Sequence, residues 1–196
     1  MLDDNRGELY MNIANEEMLE SSYHTFETGK REECWEAKWF TCEREERRLP
    51  FFEKQFTLAT KKEVVRARLY ICGLGLYEAY LNGEKVGNEY LTPGCNAYDR
   101  WLQAQTYDIT GQLQEKNCIS VLLGDGWYKG RFDFESQRSA IYGNSLKLIA
   151  EIHIIYTDGS EQVISTDESW TVSRSNLIFS GIYDGEQRAY CRTNEY

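Results

Sequence analysis

The chain of 196 residues carries 32 acidic against 22 basic side chains, a formal net charge of -10. That balance argues against a nucleic-acid backbone or an anionic membrane surface as partner, since both need a dense basic patch. With 41% hydrophobic residues and no run of about 18 apolar positions, the composition describes a soluble domain with a real core and no transmembrane helix.

The first residues, Met1-Leu2-Asp3-Asp4-Asn5-Arg6, lack the basic start and apolar centre of a signal peptide. Cys34, Cys42, Cys72, Cys95, Cys118 and Cys191 form no CxxC pair, and a core of this size needs no disulfide framework. The expectation is therefore a reduced, cytoplasmic chain. A zinc site is disfavoured, because neither His24 nor His153 lies near a cysteine pair.

In chain order, residues 1–34 read as an acidic, partly irregular extension, with a short helix expected over Ile13–Glu20. Residues 35–196 read as the ordered body, beginning at Trp35-Glu36-Ala37-Lys38-Trp39-Phe40. Val65, Ala67, Leu69 and Ile71 then alternate with Arg66, Arg68 and Tyr70, the period of a strand buried on one face. Asn82-Gly83 lies between apolar flanks and favours a type I′ hairpin turn. Asp108-Ile109-Thr110-Gly111-Gln112-Leu113 suits one helical turn, with Asp108 or Thr110 as its cap. Ile119, Val121 and Leu123 mark a further strand. Leu146, Leu148, Ala150, Ile152, Ile154 and Tyr156 mark another, with Lys147, Glu151 and His153 on its polar phase. Asp158-Gly159 is read as a second type I′ turn. Short strands, hairpin turns and no βαβ alternation give an all-β antiparallel sandwich, jelly-roll-like, of about eight to ten strands.

The densest chemical signal is Gly124-Asp125-Gly126-Trp127-Tyr128-Lys129-Gly130. A carboxylate beside an indole and a phenol can take a sugar: it offers a hydroxyl acceptor and a flat apolar face. Asp125, Trp127 and Tyr128 are the ligand-contact candidates, set against a buried Trp in a structural turn. Tyr183-Asp184-Gly185-Glu186 is the second candidate. If it is extended, Asp184 and Glu186 share a side and form a cation site or a contact to another domain; the alternative is a solvated turn followed by a strand. Asn82-Gly83 is read as a hairpin and nothing more. Tyr98-Asp99-Arg100-Trp101 can line a groove or carry a surface ion pair of small weight. His153 is read as a solvated histidine with no acid partner nameable from sequence. Asp133 and Glu135 add further acids, but catalysis needs acids placed across one cleft, so no catalytic residue is assigned.

Taken in order, several of these motifs resemble one family. They are Trp35-x-x-x-Trp39, Phe56-x-Leu58, Ala67-Arg68-Leu69-Tyr70-Ile71-Cys72-Gly73-Leu74-Gly75-Leu76-Tyr77-Glu78, Leu81-Asn82-Gly83-Glu84-Lys85-Val86-Gly87, Leu91-Thr92-Pro93-Gly94, Tyr107-Asp108-Ile109-Thr110, Gly124 to Gly130, and Ile182-Tyr183-Asp184-Gly185-Glu186. The set resembles the N-terminal β-sandwich region of bacterial α-L-rhamnosidases, from Trp35 to Glu186. The resemblance implies a parent hydrolase that releases terminal rhamnose with inversion, with its catalytic carboxylates in a separate α/α barrel following the β domains. This chain would then be a non-catalytic accessory domain whose partners are the other domains of the parent. Some relatives of the domain bind rhamnose with a calcium ion. That leaves a Ca²⁺-assisted module for rhamnose-containing glycans as the alternative here, and an independent jelly-roll glycosidase as a third. The rhamnose-binding relatives carry an Asp-Asn pair for the ion; here Gly126 follows Asp125, so one amide ligand of a shell of about six to eight oxygens is missing.

Overall fold

The computed structural model describes Lys30 and residues 34–42, 48–59, 62–132 and 138–189. The chain divides into two units, Met1–Cys34 and Trp35–Tyr196, and every described strand belongs to the second. The expected helix over Ile13–Glu20, and Asp133, Glu135 and Cys191, lie outside the described residues.

In chain order the strands are β1 (Phe40–Thr41), β2 (Pro50–Thr57), β3 (Val64–Leu74), β4 (Leu76–Leu81), β5 (Glu84–Lys85), β6 (Gln105–Asp108), β7 (Lys116–Gly124), β8 (Lys147–Tyr156), β9 (Glu161–Ser165), β10 (Thr171–Arg174), β11 (Leu177–Gly181) and β12 (Gly185–Arg188). A 3₁₀ turn spans Thr110–Gln112 and a single α-turn, α1, spans Gly126–Lys129. The strand count among the described residues exceeds the expected eight to ten, because two-residue strands and a separate hairpin carry too little pattern to be read.

The strands form an antiparallel sandwich. In the first sheet β8 is central: β3 lies along one edge with β6 beyond it, and β1 and β9 share the other edge. The second sheet runs β10-β2-β7-β4-β5. The β11–β12 hairpin stands as a third element.

Alternation places the core. Ala67, Leu69 and Ile71 of β3 and Leu148, Ala150, Ile152, Ile154 and Tyr156 of β8 are buried, facing Phe52, Tyr77, Ala79, Leu81, Ile119, Val121 and Leu123 of the second sheet. Each large apolar side chain buried this way is worth about 1.5–3 kcal/mol.

Three local readings are corrected. Val65 is 58% exposed, although its spacing put it in the core phase. Val64 pairs with Tyr156 and Arg66 with Ile155, so Val65 is the extra residue of a bulge and the alternation starts after it. At Asp158-Gly159 only the glycine has positive φ, +79°; Asp158 instead accepts from the Ser160 N–H at 3.1 Å, a side-chain-stabilised turn rather than type I′. Asn82-Gly83 does turn as expected, with φ of 54° and 85°, but Asn82 does more. Its side chain bonds the Gln112 carbonyl, the Asn117 amide oxygen and the Cys118 N–H, tying the hairpin to β7.

Candidate functional site

β7 ends at Gly124 and the chain turns at once through α1. Gly126 has φ +51°, and a Cβ there would lie 2.4 Å from Leu76 Cγ. A Cβ on Gly130 would lie 2.4 Å from the Gly126 carbonyl oxygen. These glycines let the turn close against β4 and against itself; their space is filled by the protein.

Asp125 sits at the start of that turn and is 4% exposed. Its Oδ2 accepts from the Ser180 N–H of β11 at 3.3 Å. Its Oδ1 lies 3.3 Å from Lys129 Nζ, one turn along. That ammonium is not aligned for a hydrogen bond, so Oδ1 is buried with no hydrogen-bond partner. Trp127 is half-buried. Tyr128 is 7% exposed and belongs to the core; its ring is 5.2 Å from Tyr98, and Tyr98 is 5.2 Å from Tyr142. Burial pushes the Tyr128 and Tyr98 phenols up, which keeps both neutral.

The second candidate motif meets the first. β11 and β12 are joined by the three-residue turn 182–184, and this hairpin packs on α1. Ser180 bonds Asp125, and a Cβ on Gly130 would come within 3.7 Å of Gly181 Cα. Arg131 then reaches back to Asp184, donating from Nε at 3.2 Å and from Nη2 at 2.7 Å, and its guanidinium lies 5.6 Å from the Tyr183 ring centre. The guanidinium holds the Asp184 carboxyl below its ordinary range. Glu186 is taken by Arg188, at 3.1 and 2.9 Å. Asp184 lies in the turn and Glu186 on the strand that follows it, each with its own arginine.

Among the described residues, no group of three or more His, Cys, Asp and Glu side chains is placed to hold a metal ion. Asp125 Oδ1 and both amide atoms of Asn96 are buried side-chain atoms without a hydrogen-bond partner. Asp99 and Arg100 form an exposed pair at 3.5 Å, and Trp101 beside them is 56% exposed. Sequence reading missed Arg131, whose partner is 53 positions away, and the Tyr98–Tyr142 stack around Tyr128. Lys129 was legible from its i,i+4 spacing to Asp125. His153 is also not merely solvated: its Nδ1 lies 2.7 Å from Glu161 and its Nε2 3.0 Å from Glu151.

Fold and site together define a two-sheet β-sandwich module whose loop-end carboxylates brace its own hairpins. Residues 62–195 match the family described as the alpha-L-rhamnosidase N-terminal domain, and the chain belongs to that family. An alpha-L-rhamnosidase of Formosa agariphila is 34% identical over 172 residues, covering 85% of this chain and 17% of the relative. Among solved structures, native alpha-L-rhamnosidase from Aspergillus terreus superposes with a TM-score of 0.72 at 36% identity, over 78% of this chain and 18% of that one. The Streptomyces avermitilis alpha-L-rhamnosidase, solved in complex with L-rhamnose, gives 0.68 at 32% identity, over 72% and 14%. The chain thus spans less than a fifth of each of these relatives. Among the described residues no helix is long and apolar enough to cross a membrane.

Proposed function

We propose that this chain is a non-catalytic module of an α-L-rhamnosidase, whose work is to pack against and support the other domains of a larger enzyme acting on terminal rhamnose. The observation that carries this reading is what the described candidate acids meet. Asp125 is held by Ser180 and Lys129, Asp184 by Arg131 and Glu186 by Arg188. These three described acids each contact a group of their own chain, whereas inverting hydrolysis needs two carboxylates facing each other across a glycosidic bond at about 6.5–9.5 Å with room for water. The reading predicts no turnover of an aryl rhamnoside by the isolated chain.

One observation favours a second reading, a calcium-assisted rhamnose-binding module. Asp125 Oδ1 is buried without a hydrogen bond, beside a half-buried Trp127 that can stack on a deoxysugar, and a relative has been solved with L-rhamnose. The two readings part in a thermal melt. A ligand that binds only the folded state raises the midpoint in proportion to RT ln(1 + [L]/Kd). The supporting-module reading expects the same midpoint with and without Ca²⁺ and L-rhamnose. A rise that requires both, and that is absent in Asp125→Ala, replaces it with the binding reading.

A further inference from the structure

Of the seven large apolar side chains exposed among the described residues, five belong to one region. Tyr90, Leu91, Trp101 and Leu102 stand on the loop between β5 and β6, and Ile141 lies beside it. Single apolar side chains on a surface are ordinary, but a gathered group marks an interaction site.

Hydrogen bonds tie this group together. Both limbs of the loop are pinned to Tyr77 of β4. The Tyr77 N–H donates to the Thr92 carbonyl at 2.8 Å, and the Thr92 hydroxyl donates to the Tyr77 carbonyl at 2.9 Å. The Tyr77 hydroxyl donates to Gln105 Oε1 at 2.8 Å. Between these pins the Trp101 N–H donates to the Ala97 carbonyl at 3.0 Å, and the Tyr98 ring meets those of Tyr128 and Tyr142, which brings in Ile141. Pro93 and Asn96 are buried under the loop while its large apolar side chains are left exposed.

The backbone is strained to hold this display. Among the described residues, three that are not glycine have positive φ: Asn82, Leu91 and Ala140. Asn82 belongs to its hairpin turn. Leu91, at φ 59°, is itself 53% exposed, and Ala140, at φ 52°, precedes Ile141. Asn or Gly sits in the left-handed region more easily than Leu. Strain kept at an exposed apolar side chain points to contact as its purpose.

The charges of the face close on themselves. Lys85 Nζ donates to the Glu89 carbonyl at 2.9 Å and lies 3.8 Å from the Tyr90 ring centre; Arg100 pairs with Asp99 at 3.5 Å. The face therefore suits an apolar, uncharged partner. A second copy is opposed by the charge of -10 that each would carry. A sugar fits poorly, because Leu91, Leu102 and Ile141 are aliphatic, whereas a sugar is held by flat rings and convergent polar groups. The chain spans less than a fifth of its relatives, so their other domains supply the surface area, and a module that braces a neighbour needs an apolar contact with it.

We propose that Tyr90, Leu91, Trp101, Leu102 and Ile141 form the face on which another domain of the parent rhamnosidase docks, through an apolar, uncharged surface of its own. This rests on the supporting-module reading and names the face that packs.

Hydroxyl-radical footprinting, read by mass spectrometry and normalised to an added reporter peptide, tests it on the 196-residue chain and on the full-length rhamnosidase that contains it. Tyr90 and Trp101 should be oxidised readily in the chain alone and lose most of that reactivity in the full-length enzyme. Leu91→Asn combined with Trp101→Ser should leave the urea midpoint of the chain level or raise it, since exposed positions contribute little, and should restore Tyr90 reactivity in the full-length enzyme. Equal Tyr90 and Trp101 reactivity in the two proteins overturns the docking face. So does a lowered midpoint in the variant chain, which gives these side chains to the module's own core, or protection that grows with the concentration of the chain alone, which gives the face to a second copy. Turnover of an aryl rhamnoside by the chain alone overturns the supporting-module reading instead, whatever the footprint.

Discussion

The Gly124–Gly130 turn and the outer face of the first sheet make opposite uses of polar residues. The turn has the residue types of a ligand site, and much of it is engaged by neighbours: Asp125 Oδ2 by Ser180, Tyr128 by the core and Gly126 by Leu76, while Asp125 Oδ1 is buried without a hydrogen bond and Trp127 is half-buried. The sheet face has the alternation of an ordinary solvated strand, yet it buries a carboxylate under the strap of residues 35–38 and places a histidine between two acids. Residue type marks what a position can do; its closure by distant chain decides what it does.

That contrast can be broken by substitution. The largest effect is expected from Gly126→Ala. The new methyl meets Leu76 at 2.4 Å in a backbone at φ +51°, and overpacking with backbone strain costs about 3 kcal/mol, measurable by urea denaturation. If the turn were an open ligand site with slack around Gly126, the loss would be a fraction of that. Glu151→Ala comes next. It leaves the buried Ala37 N–H without its acceptor, for about 2 kcal/mol, and should release exchange protection at Ala37 before that of Val121. Asp125→Ala strands the Ser180 N–H and should cost about 1 kcal/mol. A variant as stable as the parent would mean that Asp125 is held for a ligand and not for the fold.

The smallest effect is expected from Arg131→Ala, in an ion pair whose acid is largely open to solvent. It should barely move the denaturation midpoint, but it should change the acid limb. Arg131 holds the Asp184 carboxyl below its ordinary range. The contribution is therefore present above the unfolded carboxylate range and lost as pH falls through the lowered folded value. NMR titration of Asp184 should move back up in the variant. Asp108 behaves similarly: burial raises its carboxyl, but the Thr110 hydroxyl and N–H and then Arg68 outweigh that and lower it.

Much of this was legible. The phase of β8 from Leu148 to Tyr156, the short β7 core and the Asn82-Gly83 hairpin follow from local alternation and turn chemistry, which the chain carries within a few residues. The bulge at Val65 was not, because the extra residue shows only against its partner strand. Glu151 read as solvent-facing because the strap that closes over it comes from Ala37, 114 positions away. The arginines that Asp184 and Glu186 meet were not read either, and Arg131 arrives from 53 positions away.

The most direct measurement is isothermal titration of L-rhamnose into the chain, with and without Ca²⁺. For a turn closed by its own side chains the expected result is dilution heat alone up to millimolar sugar, whether or not the ion is present. Saturable, calcium-dependent binding that disappears in Asp125→Ala would contradict it and assign the Gly124–Gly130 turn to the ligand.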